Sequence, residues 1–74
     1  MKRIIQLKPA GKGNYKPLYF AGIIKGQALL DQNITKSVHI AKSKLEPIKV
    51  YLSKRLPNYN IEVMETYDAY KFKF

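Results

Sequence analysis

The stretch Ser43-Lys44-Leu45-Glu46-Pro47-Ile48-Lys49-Val50-Tyr51-Leu52-Ser53-Lys54-Arg55-Leu56-Pro57 decides how this chain is read. Leu45, Ile48, Leu52 and Leu56 recur at i, i+3, i+7 and i+11, which lays one apolar stripe along a helix. Ser43 followed by Glu46 fits a capping box, in which hydroxyl and carboxylate satisfy the first free amides. Glu46 in the first turn and Lys54 and Arg55 in the last suit the helix macrodipole, and Pro57 stops the helix. The spacing therefore predicts one helix over about 44–56. Pro47 is awkward for a cap at Ser43, because it deletes an early backbone bond, so a start a residue or two later is the alternative.

Everything around this helix reads as strand. In residues 2–8, Arg3, Ile5 and Leu7 share one face, with Ile4, Gln6 and Lys8 on the other. Pro9 and Gly11-Lys12-Gly13-Asn14 break that strand into a loop. Leu18 to Ile24 is nearly continuous in apolar residues and predicts a central strand. Lys25-Gly26 then turns the chain, and Gln27 to Leu30 returns as the second arm of a hairpin. Asp31-Gln32-Asn33 is a turn, and Val38-His39-Ile40 a short extended piece. Ile61, Val63 and Tyr67 alternate with Glu62, Met64 and Thr66 in a closing strand. Tyr70-Lys71-Phe72-Lys73-Phe74 alternates aromatic and basic residues as a last one. Strands, one helix, then strands predict an α+β fold: a small, mostly antiparallel sheet of four to five strands with the helix packed on one face. Residues 1–74 make a single domain.

Composition narrows the function. Lys and Arg number 14 against 5 Asp and Glu, a formal charge of +9, and the first thirty residues hold Lys2, Arg3, Lys8, Lys12, Lys16 and Lys25 with no acid. Such a chain attracts polyanions. Without cysteine there is neither a disulfide nor a thiolate metal site, which fits a reducing cytosol, and a single His excludes a multi-histidine centre. No metal or other cofactor is expected. The opening Met1-Lys2-Arg3-Ile4-Ile5 has the look of a signal n-region, but Gln6, Lys8 and Pro9 end the apolar run too early. The apolar run from Leu18 to Ile24 is far short of the ~20 residues a membrane span needs. The expectation is a soluble cytoplasmic protein with no membrane contact.

Lys8, Lys12, Tyr15, Lys16, Tyr19 and Lys25 interleave cations with rings, the composition with which single-strand binders neutralise phosphate and stack on unpaired bases. Against this, Tyr19 and Phe20 point to opposite faces, so at least one is core, and lysines on a small domain often only keep it dissolved. Gly11-Lys12-Gly13 lacks the Lys-Ser or Lys-Thr that a phosphate-cradling loop requires. An RNA-recognition motif has its glycines and rings in another order and needs two long helices. Lys44, Lys49, Lys54 and Arg55 scatter around the helix, unlike the basic stripe of a groove-reading helix. His39 has no acid nearby to orient it, and Glu62 and Glu65 fall on opposite strand faces, so general acid–base chemistry has no pair. The chain reads as non-enzymatic. The rings of Tyr70, Phe72 and Phe74 either close the core or form a protein interface, since an apolar sheet edge invites pairing, a homodimer included.

Leu30, Ile34, Ala41-Lys42-Ser43-Lys44 and Tyr59-Asn60-Ile61-Glu62-Val63 resemble small uncharacterised proteins from phages and prophages of low-GC Gram-positive bacteria. The resemblance covers about half of the chain; the basic N-terminal third and the Tyr70 to Phe74 extension depart from it. It implies a small accessory protein acting on host or phage macromolecules and assigns no residue a role. Two expectations follow: a binding module for single-stranded DNA or RNA, or a modulator that docks its aromatic C-terminal strand on an acidic host protein.

Overall fold

Strand β1 (Lys2–Pro9) lies at the centre of a four-stranded antiparallel sheet in which every later element is fixed by what it pairs with. The computed structural model describes residues 2–11, 13 and 15–74, except the side chains of 71–73. β2 (Leu18–Ile24) and β3 (Gln27–Asp31) form the expected hairpin on one side of β1. β5 (Tyr59–Thr66) pairs with β1 on the other side along its full length, from Lys2 opposite Thr66 to Pro9 opposite Tyr59. The strand order is β3-β2-β1-β5, so β2 is central, as its apolar run predicts. The α+β architecture is the one expected, with the helix α1 (Lys42–Arg55) on one face.

Alternation within β1 divides the layers. Ile5 and Leu7 are fully buried beneath α1 with Phe20, Val38, Ile40, Ile48 and Leu52. Leu45 and Leu56 pack on that cluster, so the apolar stripe does what its spacing requires. Phe20 is the core ring, and Tyr19 points to the helix-free face, where its hydroxyl accepts a long hydrogen bond from Gln6 Nε2 at 3.4 Å. A bulge at Ala21 then shifts the alternation by one residue. Ile23, in place of Gly22, therefore joins Leu18 and Phe20 on the core side, and Ile24 faces solvent. Gly22 has φ +124°, a conformation L side chains rarely adopt.

β1 and β2 pair only at Gln6–Tyr19 and Leu7–Leu18 and then diverge. The opening is filled by β4 (Val38–His39), reached through a 3₁₀ turn at Ile34–Lys36 that the Asn33 side chain caps. Ile40 N–H donates to the Arg3 carbonyl at 2.9 Å. β4 in turn pairs in parallel with β6 (Tyr70–Lys73), so the C-terminal strand joins a second, two-stranded sheet. Phe74 meets Phe20 edge-to-face at 5.5 Å.

Two expectations about α1 are corrected. The helix begins at Lys42, its N-cap Ala41 offers no side chain, and Ser43 and Glu46 form no capping box. The cause is tertiary: Ala41 N–H is held by the Phe74 carbonyl at 3.0 Å, which fixes the chain's path one turn before Glu46. Glu46 thus falls outside the first turn and meets Lys49 at 3.5 Å in an exposed pair worth a few tenths of a kcal/mol at most. Among the described residues no helix is long and apolar enough to cross a membrane.

Candidate nucleic-acid interface

The loop joining β1 to β2 carries the residues that composition singled out, and the fold fixes where they stand. Lys8 is exposed near the end of β1, on the helix-free face, opposite Asn60. Ala10 N–H donates to the Asn58 carbonyl at 2.7 Å, which ties the start of the loop to the turn between α1 and β5. Tyr15 is 62% exposed. Its ring lies over Gly13, close enough that a Cβ there would stand 2.9 Å from Cε2. Gly13, at φ +145°, therefore serves as the seat on which an outward ring is held. Lys16 is exposed beside it. Lys12 lies outside the described residues.

Lys25 does not join them. It occupies the turn between β2 and β3, where Ile24 pairs with Gln27, and β2 runs its whole length between that turn and the Lys8 end. Lys25 at φ 52° and Gly26 at φ 75° make a type I′ turn, so its place in the chain is a matter of hairpin geometry. Tyr19 is half-buried and paired with Asp31, a poor neighbour for phosphate. The five described residues thus separate into a group in or beside the β1–β2 loop (Lys8, Tyr15, Lys16), Tyr19 on the sheet face and Lys25 at the β2–β3 turn, where the Gly26 carbonyl accepts from the Tyr51 hydroxyl of α1 at 2.5 Å.

The fold adds one cation, Lys54, that sequence proximity could not supply. Lys54 and Arg55 end the helix just before Pro57 and Asn58, and the Ala10–Asn58 bond brings that terminus to the loop. The Arg55 guanidinium lies 5.3 Å over the Tyr51 ring, whose hydroxyl donates to the Gly26 carbonyl at 2.5 Å, so Arg55 lines a groove with Gly26, Gln27 and Ala28 and faces the β2–β3 turn instead of the loop. The available signal was the pair of bases in the last turn before a helix-stopping proline. Among the described residues Lys49 is the one Lys or Arg in an ion pair, so these cations have no carboxylate bound to them. The acids on the helix-free face of the adjoining strands are Asp31, at the end of β3 opposite Tyr19, and Glu62, diagonal to Lys8 across the β1–β5 ladder. The helix-free sheet face is balanced, Lys2 and Lys8 against Asp31 and Glu62, whereas α1 carries Lys42, Lys44, Lys49, Lys54 and Arg55 against Glu46 alone.

The aromatic tail is split as well. Phe74 meets Phe20 edge-on, with the Lys44 ammonium 5.7 Å from its ring, so it is partly buried against the core. Tyr70 is 55% exposed, and the Phe72 side chain lies outside the described residues. A groove of about 350 Å³ runs between Ala21, Asp31, Lys36, Val38 and Tyr70. Among the described residues no three His, Asp or Glu stand close enough to hold a metal ion. The chain matches no protein-family model, no curated protein and no solved structure.

Proposed function

We propose that this chain is a small, basic, non-enzymatic module of the cytoplasm that contacts single-stranded DNA or RNA at the end of the sheet where the β1–β2 loop meets the helix terminus. Lys8, Lys16 and Lys54 neutralise phosphates, with Lys12 in the same loop, and Tyr15 stacks on a base. The observation that carries the reading is the exposed Tyr15 ring seated on Gly13 among cations that no carboxylate binds. A ring with one open face suits unpaired bases, since base–aromatic stacking contributes about 1–3 kcal/mol per base whatever the sequence.

Fluorescence polarisation with a short single strand and with a duplex, each at two salt concentrations, tests this. The single strand should bind more tightly, and log K should fall with log[salt] at roughly −0.7 per phosphate contacted. Lys8→Ala, Lys16→Ala and Lys54→Ala should each reduce that slope, whereas Tyr15→Ala should weaken binding at unchanged slope. No binding at low salt removes the proposal. Equal binding by wild type and Tyr15→Ala reduces it to diffuse attraction.

A second reading has its own support in the exposed rings of Tyr67 (77%) and Tyr70 (55%) beside the C-terminal strand. It is a phage-type modulator docking on an acidic host protein, and large rings dominate such interfaces. Recovery of the same partners by wild type and by a Tyr67→Ser, Tyr70→Ser variant would count against it.

A further inference from the structure

Residues 56–70 contain Glu62, Glu65 and Asp68 and no Lys or Arg, in a chain whose remainder holds all 14 bases. The fold makes Glu62 and Glu65 part of a sheet edge. β5 pairs with β1 on one side and stands last in the sheet order, so every second residue turns its N–H and C=O outward along the other side. Beside that edge, Val50 of α1 (49% exposed) and Val63 of β5 (38%) present apolar surface. A groove between α1 and β5 is lined by Glu46, Lys49, Val50, Ser53 and Ile61.

We infer that the outer edge of β5 accepts an extended basic segment of a partner protein by antiparallel strand addition. Charge selects this occupant. A second copy pairing through the same edge would bring four carboxylates together, whereas a basic strand meets two that face opposite sides of the sheet. The register on the inner edge shows what a complementary strand looks like. There Arg3 stands opposite Glu65, Ile4 opposite Met64, Ile5 opposite Val63, Gln6 opposite Glu62 and Leu7 opposite Ile61. An outer partner following the same alternation carries a base opposite Glu65, an apolar residue opposite Val63, a base opposite Glu62 and an apolar residue opposite Ile61. The segment is therefore base-x-apolar-base-apolar, its apolar side chains covering Val63, Val50 and Ile61. This inference is independent of the nucleic-acid reading, which uses other residues.

The probe is the capped peptide acetyl-Thr-Lys-Thr-Val-Lys-Val-Thr-amide, titrated into the full ¹⁵N-labelled chain and compared with the same peptide carrying Glu for both Lys. Amide shifts confined to residues 59–66 and to the flank of α1 at Val50 are expected, with the Lys peptide at least tenfold tighter than the Glu peptide. Glu62→Lys, Glu65→Lys should abolish the difference while leaving the remaining spectrum folded, both side chains being exposed. Because the chain is +9 overall, general attraction favours the Glu peptide, so the expected order cannot arise from net charge. Equal affinities, the reverse order, shifts located elsewhere, or a concentration-dependent dimer by sedimentation that closes this edge would each overturn the inference.

Discussion

Replacing Lys25 should change stability in either direction according to the backbone preference of the new residue alone. Lys25 sits at φ 52° in a two-residue type I′ turn with Gly26. A side chain other than Gly in that left-handed region costs about 1–2 kcal/mol, with Asn and Asp penalised least. Lys25→Asn should recover about 0.5–1 kcal/mol. For a domain of this size that raises Tm by roughly 2–8 °C. Lys25→Gly relieves the same strain but loses about 0.4–1 kcal/mol to the freer unfolded chain, and should land near zero gain or slightly above. Lys25→Val, β-branched, should lose about 1–2 kcal/mol. Lys25→Gln separates charge from geometry, because it removes the cation and keeps the strain, so it should move Tm little. Urea titration and calorimetry read all four. Finding Asn and Val equal, or Val the more stable, would mean the turn is not type I′. The same set tests the site, since Lys25→Asn should leave the salt slope of oligonucleotide binding unchanged; a fall of about 0.7 would bring Lys25 into contact after all.

Three further outcomes follow from particular side chains. Pro47 lies inside α1, where it leaves the Ser43 carbonyl without its helical donor, so Pro47→Ala should stabilise by about 1–2 kcal/mol in urea denaturation, part of the helical gain being offset by unfolded-chain entropy. Phe20 is fully buried and carries the edge-to-face contact with Phe74. Phe20→Ala should cost about 3–5 kcal/mol out of a total near 4–11, and circular dichroism should show the thermal midpoint lowered by roughly 12–40 °C. Gly13→Ala drives a Cβ into the Tyr15 ring, so polarisation should show weaker single-strand binding with little change of salt slope.

What the sequence revealed of the fold was what short-range physics controls. The stripe Leu45, Ile48, Leu52, Leu56 and the hairpin about Lys25-Gly26 needed only periodicity and turn chemistry, and both stand where they were expected. The capping box failed because a contact between Ala41 and Phe74, far apart in the chain, outweighed about 1 kcal/mol of local capping. The bulge at Ala21 was hidden by the very run of apolar residues that marked the strand, since any register of Leu18 to Ile24 buries something apolar. The candidate site was partly legible for the same reason. Lys8, Tyr15 and Lys16 are close in sequence and lie at the end of β1 or on the connection that leaves it and returns to pair Leu18 with Leu7. Sequence proximity alone groups Lys25 with them, and β2, bulged at Ala21, carries it to a separate turn that the Tyr51 hydroxyl binds. Lys54 enters through the Ala10–Asn58 bond and Arg55 is turned toward the β2–β3 hairpin by Tyr51, neither of which the sequence announces.

Salt should act with different signs on the two proposed partners. The molecule measures 32 × 23 × 20 Å, while the screening length is about 8 Å at 0.15 M and about 30 Å at 0.01 M ionic strength. At the lower salt a basic peptide approaching β5 feels nearly the whole charge of +9 and is repelled. At 0.15 M it feels chiefly Glu62 and Glu65, the charges that face its lysines. Raising salt from 0.01 M should therefore first strengthen the Lys peptide's binding and then, toward 1 M, weaken it as the local pairs are screened in turn. An oligonucleotide has no such reversal, because global and local attraction have one sign and counterion release only weakens binding as salt rises. A Lys-peptide affinity that falls steadily from the lowest salt would mean that the carboxylates of β5 dominate the field at every range, which a chain with nine surplus cations does not permit unless those cations are far more dispersed than the β1–β2 loop and α1 place them.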